Sequence, residues 1–320
     1  MVLVTSCSQI RTRDQIEKEK QQEKERIAKE AEAALQGSDE DQKPPVPEAA
    51  VEAVVTPPVP IKLPKVGVVL GAGGAKAFAH AGVLKALDSM QIPVDYVVGL
   101  EWGSLVAALY ANEGSVHDLQ WKIYKMNASV LPEKSFLAAS FTSKNINESV
   151  NQLAEAKLLE KQIDQFKIPF ACPSISQSSG AVKWRNKGSF KDALIECFTS
   201  APLFSNPSGW VAASFAVSAS VEYLKMQGCE LVIVVDLLSD TTDFLPKKDV
   251  DHHLLANHNW HLTKFLSQQL DTVNGVQVRR LMLRTGRYPI NDFENRKSLV
   301  KLGQGEGKDF AQKIADQFGF

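Results

Sequence analysis

The chain has 320 residues, with 36 basic and 37 acidic side chains and a formal net charge of −1. It is 44% hydrophobic and 23% charged, ordinary for a globular protein, and the near-neutral balance gives no electrostatic reason to expect nucleic acid as a partner. No run of about 18 apolar residues occurs, so the sequence offers no transmembrane helix; the four cysteines, Cys7, Cys172, Cys197 and Cys229, form no CxxC, which argues against a zinc site or a disulfide framework.

In chain order, Val4-Thr5-Ser6-Cys7 resembles a bacterial lipobox, in which Cys7 would become the lipidated first residue. Burial of acyl chains, about 0.8 kcal/mol per CH₂, is what makes such an anchor hold. Only six residues precede Cys7, whereas a signal peptide needs about 7–15 apolar residues behind a basic stretch. Either the start lies upstream, or the cysteine carries no lipid. The resemblance implies a membrane-tethered lipoprotein of the bacterial envelope, and Ser8 in the following position implies the outer membrane, facing the periplasm. The alternative is a cytoplasmic protein with a disordered tail.

Residues 8–36 are rich in strong helix formers with acids preceding bases at i,i+4, as in Asp14/Lys18 and Glu25/Lys29, which predicts a solvated charged helix. Its apolar positions are too sparse for a sustained heptad. Residues 37–63 turn acidic and then proline-rich. Proline favours extended backbone, so this linker could span on the order of 80 Å at about 3.1 Å per residue.

From 64 to 320 the pattern alternates. Lys65–Gly71 is a continuous apolar run, as in a strand buried on both faces, and a glycine-rich turn, Gly71-Ala72-Gly73-Gly74-Ala75, follows. Helical spacing runs from Phe78 to Met90. Val94–Leu100 is a second strand and Leu105–Ala111 a second helix. Ile168–Ile175, Glu230–Leu238 and Val276–Leu283 are further strands, and a helix over Asp309–Phe318 closes the chain. Strand–helix alternation predicts an α/β fold with a mainly parallel sheet covered on both faces. Sites in such sheets lie beyond the carboxyl ends of the strands, which singles out the junctions Gly71–Ala77 and Leu100–Gly103. The first fits neither GxGxxG nor GxxxxGK[ST], and no acidic ribose partner follows, so no nucleotide cofactor is expected.

Together the two junctions, GAGGAKAFAHAGVLKALDSMQIPVDYVVGLEWGSLVAALYA, resemble the patatin-like phospholipase family, which pairs a glycine-rich oxyanion loop with a G-x-S-x-G nucleophile elbow. The resemblance continues through FKIPFACPSISQSSGAVKWRNKGSFKDALIECFTSAPLFSNP and GCELVIVVDLL. It implies a three-layer α/β/α sandwich with a mainly parallel central sheet, preceded here by the helical and Pro-rich tail.

The resemblance also implies where catalysis should sit. In such hydrolases a serine attacks the ester, an aspartate takes its proton, and backbone N–H groups of the glycine loop hold the oxyanion. Here the elbow reads Gly99-Leu100-Glu101-Trp102-Gly103: both glycines are kept and the nucleophile position is Glu101. Ser104 lies one turn into the helix and lacks the flanking glycines. The D-G-[GA] motif falls on Ala212-Ala213-Ser214, so the base position is Ala212; no aspartate lies between Asp192 and Asp236. No catalytic pair is intact, and the expected function is a pseudo-phospholipase with a binding or scaffold role toward a lipid or an envelope protein. An active acyl hydrolase with rearranged residues is the alternative, and another serine paired with an aspartate at the cleft would favour it. Glu101 is expected to project toward Gly73 and Gly74 and occupy the oxyanion hole, with Lys76 adding charge there and Trp102 filling part of the acyl pocket; drift after loss of activity would explain the same substitution.

His80 reads as a packed, hydrogen-bonded histidine. His252, His253, His258 and His261 crowd one segment, for which a polar surface helix is the default over metal binding, so no metal site is expected. Trp121, Tyr124 and Met126 have the spacing of helical core or rim. Oligomeric state and ligand are left open by the sequence.

Overall fold

Val66–Leu70 forms strand β1 with every residue buried, as its unbroken apolar run dictates for a strand covered on both faces. The structure, a computed structural model, describes residues 63–126, 144–145, 156–199, 204–205, 208–241, 254–269, 273–290 and 292–320. Cys7, the charged helix expected over 8–36, nearly all of the 37–63 linker, and His252 and His253 lie outside them. A one-turn 3₁₀ segment, Gly74–Phe78, leads from β1 into helix α1, Ala79–Ser89. Strand β2 is Tyr96–Gly99, followed by α2, Trp102–Glu113, and α3, Val116–Lys125. Next come β3, Phe170–Ser176, β4, Val182–Arg185, and α4, Phe190–Phe198. The chain continues through β5, Trp210–Ala212, α5, Val217–Met226, and β6, Leu231–Asp236. Helix α6, Leu254–Gln268, strand β7, Gln277–Met282, and helix α7, Arg296–Phe318, complete it.

The seven-stranded sheet has the order β4-β3-β2-β1-β6-β7, with β5 also on β3. Neighbours from β3 through β7 pair in parallel, whereas β4 and β5 pair antiparallel with β3. The fold is therefore α/β with a mainly parallel sheet. Its register matters for the site. The start of β3 pairs with β2 (Phe170 with Val97, Ala171 with Val98), while Ser174 pairs with Lys183 of β4 on one edge and Ala212 of β5 on the other. Since β4 takes one edge, β5 takes the edge β2 has vacated, and Ala212 sits in the sheet line just past the end of β2.

Two expectations need correction. The last helix begins at Arg296, not Asp309. Gly303, Gly305 and Gly307 resemble breakers by propensity, yet tertiary packing overrides this: α7 lies so close to α1 that a Cβ on Gly303 would fall 1.9 Å from the Ala79 carbonyl oxygen. The second correction is a disulfide, Cys172–Cys197, joining β3 to α4 with a Cα–Cα distance of 5.9 Å. Helix α4 folds back over β3 and brings together two cysteines 25 residues apart, a pairing no local spacing announces. Among the described residues no helix is long and apolar enough to cross a membrane.

Candidate functional site

The elbow is built by its two glycines. A Cβ on Gly99 would stand 2.3 Å from Ser104 Cα, and one on Gly103 2.3 Å from the Leu70 carbonyl oxygen. Only bare backbone lets the turn fold this tightly against β1. The residue at its tip, Glu101, has φ 52° and ψ −123°, a left-handed conformation that costs a non-glycine residue on the order of 1–3 kcal/mol and is found where the surroundings over-determine it. Leu100 N–H donates to Leu70 O (2.9 Å), Gly103 N–H to Leu100 O (2.8 Å), and both Ser104 N–H (2.9 Å) and Oγ (2.5 Å) donate to Glu101 O. Ser104 is therefore tied to the elbow backbone.

The Glu101 side chain is wholly buried, and its Oε2 accepts from Gly73 N–H (3.2 Å) and Gly74 N–H (3.0 Å). Gly74 has φ 56°, and a Cβ there would fall 2.3 Å from the Ile290 carbonyl oxygen, so the loop presents its amides only because this residue is glycine. Two converging backbone N–H groups form an anion site; here the anion is the protein's own carboxylate.

Trp102, beside it, is fully buried. Its ring lies 4.3 Å from Phe198 and 4.5 Å from Phe293, with Phe78 at 6.1 Å, and its Nε1 has no hydrogen-bond partner. An unpaired buried donor carries a desolvation cost of about 1–3 kcal/mol, which the aromatic packing offsets. Phe198 follows Cys197 directly, so the disulfide fixes one wall of this cage. Ala212 is buried and its N–H donates to Thr199 O (2.7 Å), one residue further along. The residue the resemblance puts at the base position is thus a buried alanine paired with Ser174 of β3.

Lys76 differs from the expectation that it adds charge beside Glu101. Its Nζ donates to Thr241 Oγ1 (2.6 Å) and the Thr285 carbonyl (3.1 Å), and the charges acting on it are those of Asp240 and Lys264. It stitches the glycine loop to two later loops. Burial lowers its pKa to about 7, with Asp240 raising it and Lys264 lowering it. The unfolded chain keeps this proton up to about pH 10.4 while the folded chain releases it near 7, so stability must rise with pH in between, at up to about 1.4 kcal/mol per pH unit. Urea midpoints at pH 7.5 and 9 should show this rise, and Lys76→Met should remove that component; equal slopes in both proteins refute it.

His80 is also wholly buried. Its Nε2 lies 2.8 Å from Gly71 O, which requires the proton on Nε2, and Nδ1 has no partner. Burial lowers its pKa to about 4, so it is neutral at pH 7. Of the histidine-rich segment, His258 and His261 lie on α6, and His261 is exposed. Met126 is buried, while Trp121 is exposed and lies under the Lys125 ammonium at 4.4 Å.

One group escaped the sequence reading. At the end of β6, Asp236 Oδ1 accepts from Leu238 N–H (2.8 Å) and Ser239 N–H (3.2 Å), and Oδ2 from Ser239 Oγ and from Arg280 Nε (3.1 Å) and Nη2. This is a serine paired with an aspartate on the carboxyl edge of the sheet. Five donors already fill the carboxylate, and an arginine neutralises it. A general base needs a vacant lone pair for the incoming proton, and Asp236 has none to offer. The pair closes a turn and ties β6 to β7.

The profile of the patatin-like phospholipase family matches residues 68–232. Among curated proteins, the chain is 26% identical over 281 residues to lysophospholipase NTE1 of Kluyveromyces lactis, covering 79% of this chain and 19% of that protein. It is 28% identical over 188 residues to patatin-like phospholipase domain-containing protein 6 of Mus musculus, covering 56% and 14%. It thus spans about a fifth or less of the length of these relatives. Among solved structures, VipD from Legionella pneumophila aligns with a TM-score of 0.49 at 12% identity over 80% of this chain and 67% of that one. With the glycine loop, the elbow and the parallel sheet in their places, the chain belongs to the patatin-like phospholipase family.

Proposed function

We propose that this domain is a catalytically silent patatin-like protein, tethered to a bacterial envelope membrane as a lipoprotein and acting by binding a lipid or an envelope protein. The observation that carries the reading is the Glu101 carboxylate on the Gly73 and Gly74 amides. A hydrolase of this type needs a nucleophile at the elbow and vacant donors opposite it; here the nucleophile position fills the donors. Losing the nucleophile of a serine hydrolase costs about 10⁶ in kcat. The disulfide supports the compartment, because such bonds persist in oxidising surroundings such as the periplasm.

A second reading is favoured by relatives named lysophospholipase: an active acyl hydrolase with rearranged catalytic residues. A chromogenic short-chain ester, p-nitrophenyl butyrate, separates the two. The unaltered protein should show no turnover above buffer, and Glu101→Ser combined with Ala212→Asp should gain it. Turnover by the unaltered protein overturns the silent reading.

A further inference from the structure

Helix α7 carries three glycines, and two have a packing reason: a Cβ would meet Ala79 O at 1.9 Å from Gly303 and Ala86 Cβ at 3.0 Å from Gly307. A Cβ on Gly305 meets nothing within 4 Å. A glycine inside a helix is unfavourable relative to alanine, and the exposed Gly305 leaves the helix backbone bare to whatever enters the adjoining space. Gly305 lines an open groove of about 870 Å³ between α7 and the 284–288 loop. That volume lies within the usual range of small-molecule sites, about 300–1,000 Å³. None of its lining residues belongs to the elbow or the glycine loop.

The charges in the groove divide into engaged and available. Arg284 holds Glu306 through its Nε and backbone N–H, both at 2.9 Å, and Asp240 accepts from Gly286 N–H at 3.1 Å. Among the described residues, Arg287, Lys301 and Asp309 have no ion-pair partner; Arg287 lies 4.9 Å over the Tyr288 ring. Lys301, Gly305 and Asp309 fall at i, i+4 and i+8, one row along the helix wall. The cation and the acid are about 12 Å apart along the axis, with the bare glycine midway. The groove is bipolar, with a second cation contributed by the loop.

We propose that this groove binds a short linear peptide with free termini. Its carboxylate would meet Arg287 and Lys301, its ammonium Asp309, and its main chain would cross Gly305. Three to four extended residues span about 10–14 Å, which fits the separation of the charges. The Arg287 guanidinium suits a terminal carboxylate, which it can grip through two parallel hydrogen bonds. An anion alone leaves Asp309 unanswered, so the paired termini account for more of the groove than a phosphate does.

The test is isothermal titration calorimetry of the full chain with tetra-alanine, with its N-acetyl amide, and with inorganic phosphate. Free tetra-alanine should bind, and blocking both termini should weaken binding by about tenfold or more. Gly305→Leu should abolish the heat of binding while thermal melting shows the protein still folded, and Lys301→Ala should weaken it. Equal affinity for the blocked peptide, binding that survives Gly305→Leu, or silence of tetra-alanine at about 10 mM, with or without a response to phosphate, overturns the proposal.

Discussion

Replacing Gly303 with alanine should destabilise the domain by at least about 3 kcal/mol, whereas the same change at Gly305, two residues along the same helix, should stabilise it by about 0.5–1 kcal/mol. Helix propensity favours both substitutions equally, so the difference isolates packing. At Gly303 the new methyl group would fall 1.9 Å from the Ala79 carbonyl oxygen and 2.8 Å from its carbon. Backbone cannot rotate out of the way as a side chain can. On the same seam a Cβ on Gly82 would fall 2.0 Å from Val300 O, so the helices have no slack there and must separate to admit a methyl group. Helix α1 begins where the glycine loop ends, and a shift of α1 moves the amides that hold Glu101. Urea midpoints of Gly303→Ala, Gly305→Ala and the unaltered chain decide the matter. Equal midpoints for the two variants would sink this account of the seam.

What the sequence revealed and what it hid follow from the range of the interactions involved. Strands β1, β2 and β6 were legible because burial on both faces leaves an unbroken apolar run. The elbow was legible through the family resemblance, whose two glycines this chain keeps because contacts within a few residues and with the adjacent strand leave no room for a Cβ. Glu101 could be placed at its tip by counting. Strands β4 and β5 were not read: they are short, half-exposed, and exist only because β3 outruns β2 and offers vacant edges. The direction of Lys76 depends on Thr241 and Thr285, which lie 165 and 209 residues further on, and nothing local reports it. The Asp236–Arg280 pair spans 44 residues and is set by the β6–β7 register. The sequence did carry one neglected signal, an aspartate ending an apolar strand at the edge where such sheets place their sites.

Opening the Cys172–Cys197 bond should cost about 3.5 kcal/mol, the loop-closure entropy for a cross-link enclosing roughly 25 residues. Both sulfurs are buried, at 1% and 0% exposure, so a reductant reaches them only when the structure opens. The loss should therefore appear slowly in reductant alone and at once when mild urea is added. Cys172→Ala with Cys197→Ala should lower the urea midpoint by the same margin and lose its sensitivity to reductant. The consequence reaches the site. Cys197 precedes Phe198, whose ring lies 4.3 Å from Trp102, and Thr199, whose carbonyl holds Ala212 N–H. Without the cross-link, the helix end that carries both is held to β3 by packing and by the Ser174 Oγ–Glu196 Oε2 hydrogen bond (3.3 Å), and Trp102 fluorescence should shift to the red in the reduced but still folded protein. Mass analysis of tryptic peptides provides the direct check: the peptides carrying Cys172 and Cys197 must migrate as one species until reduced. Free thiols in protein isolated from an oxidising compartment would remove both the stability term and the argument it lends to a periplasmic home.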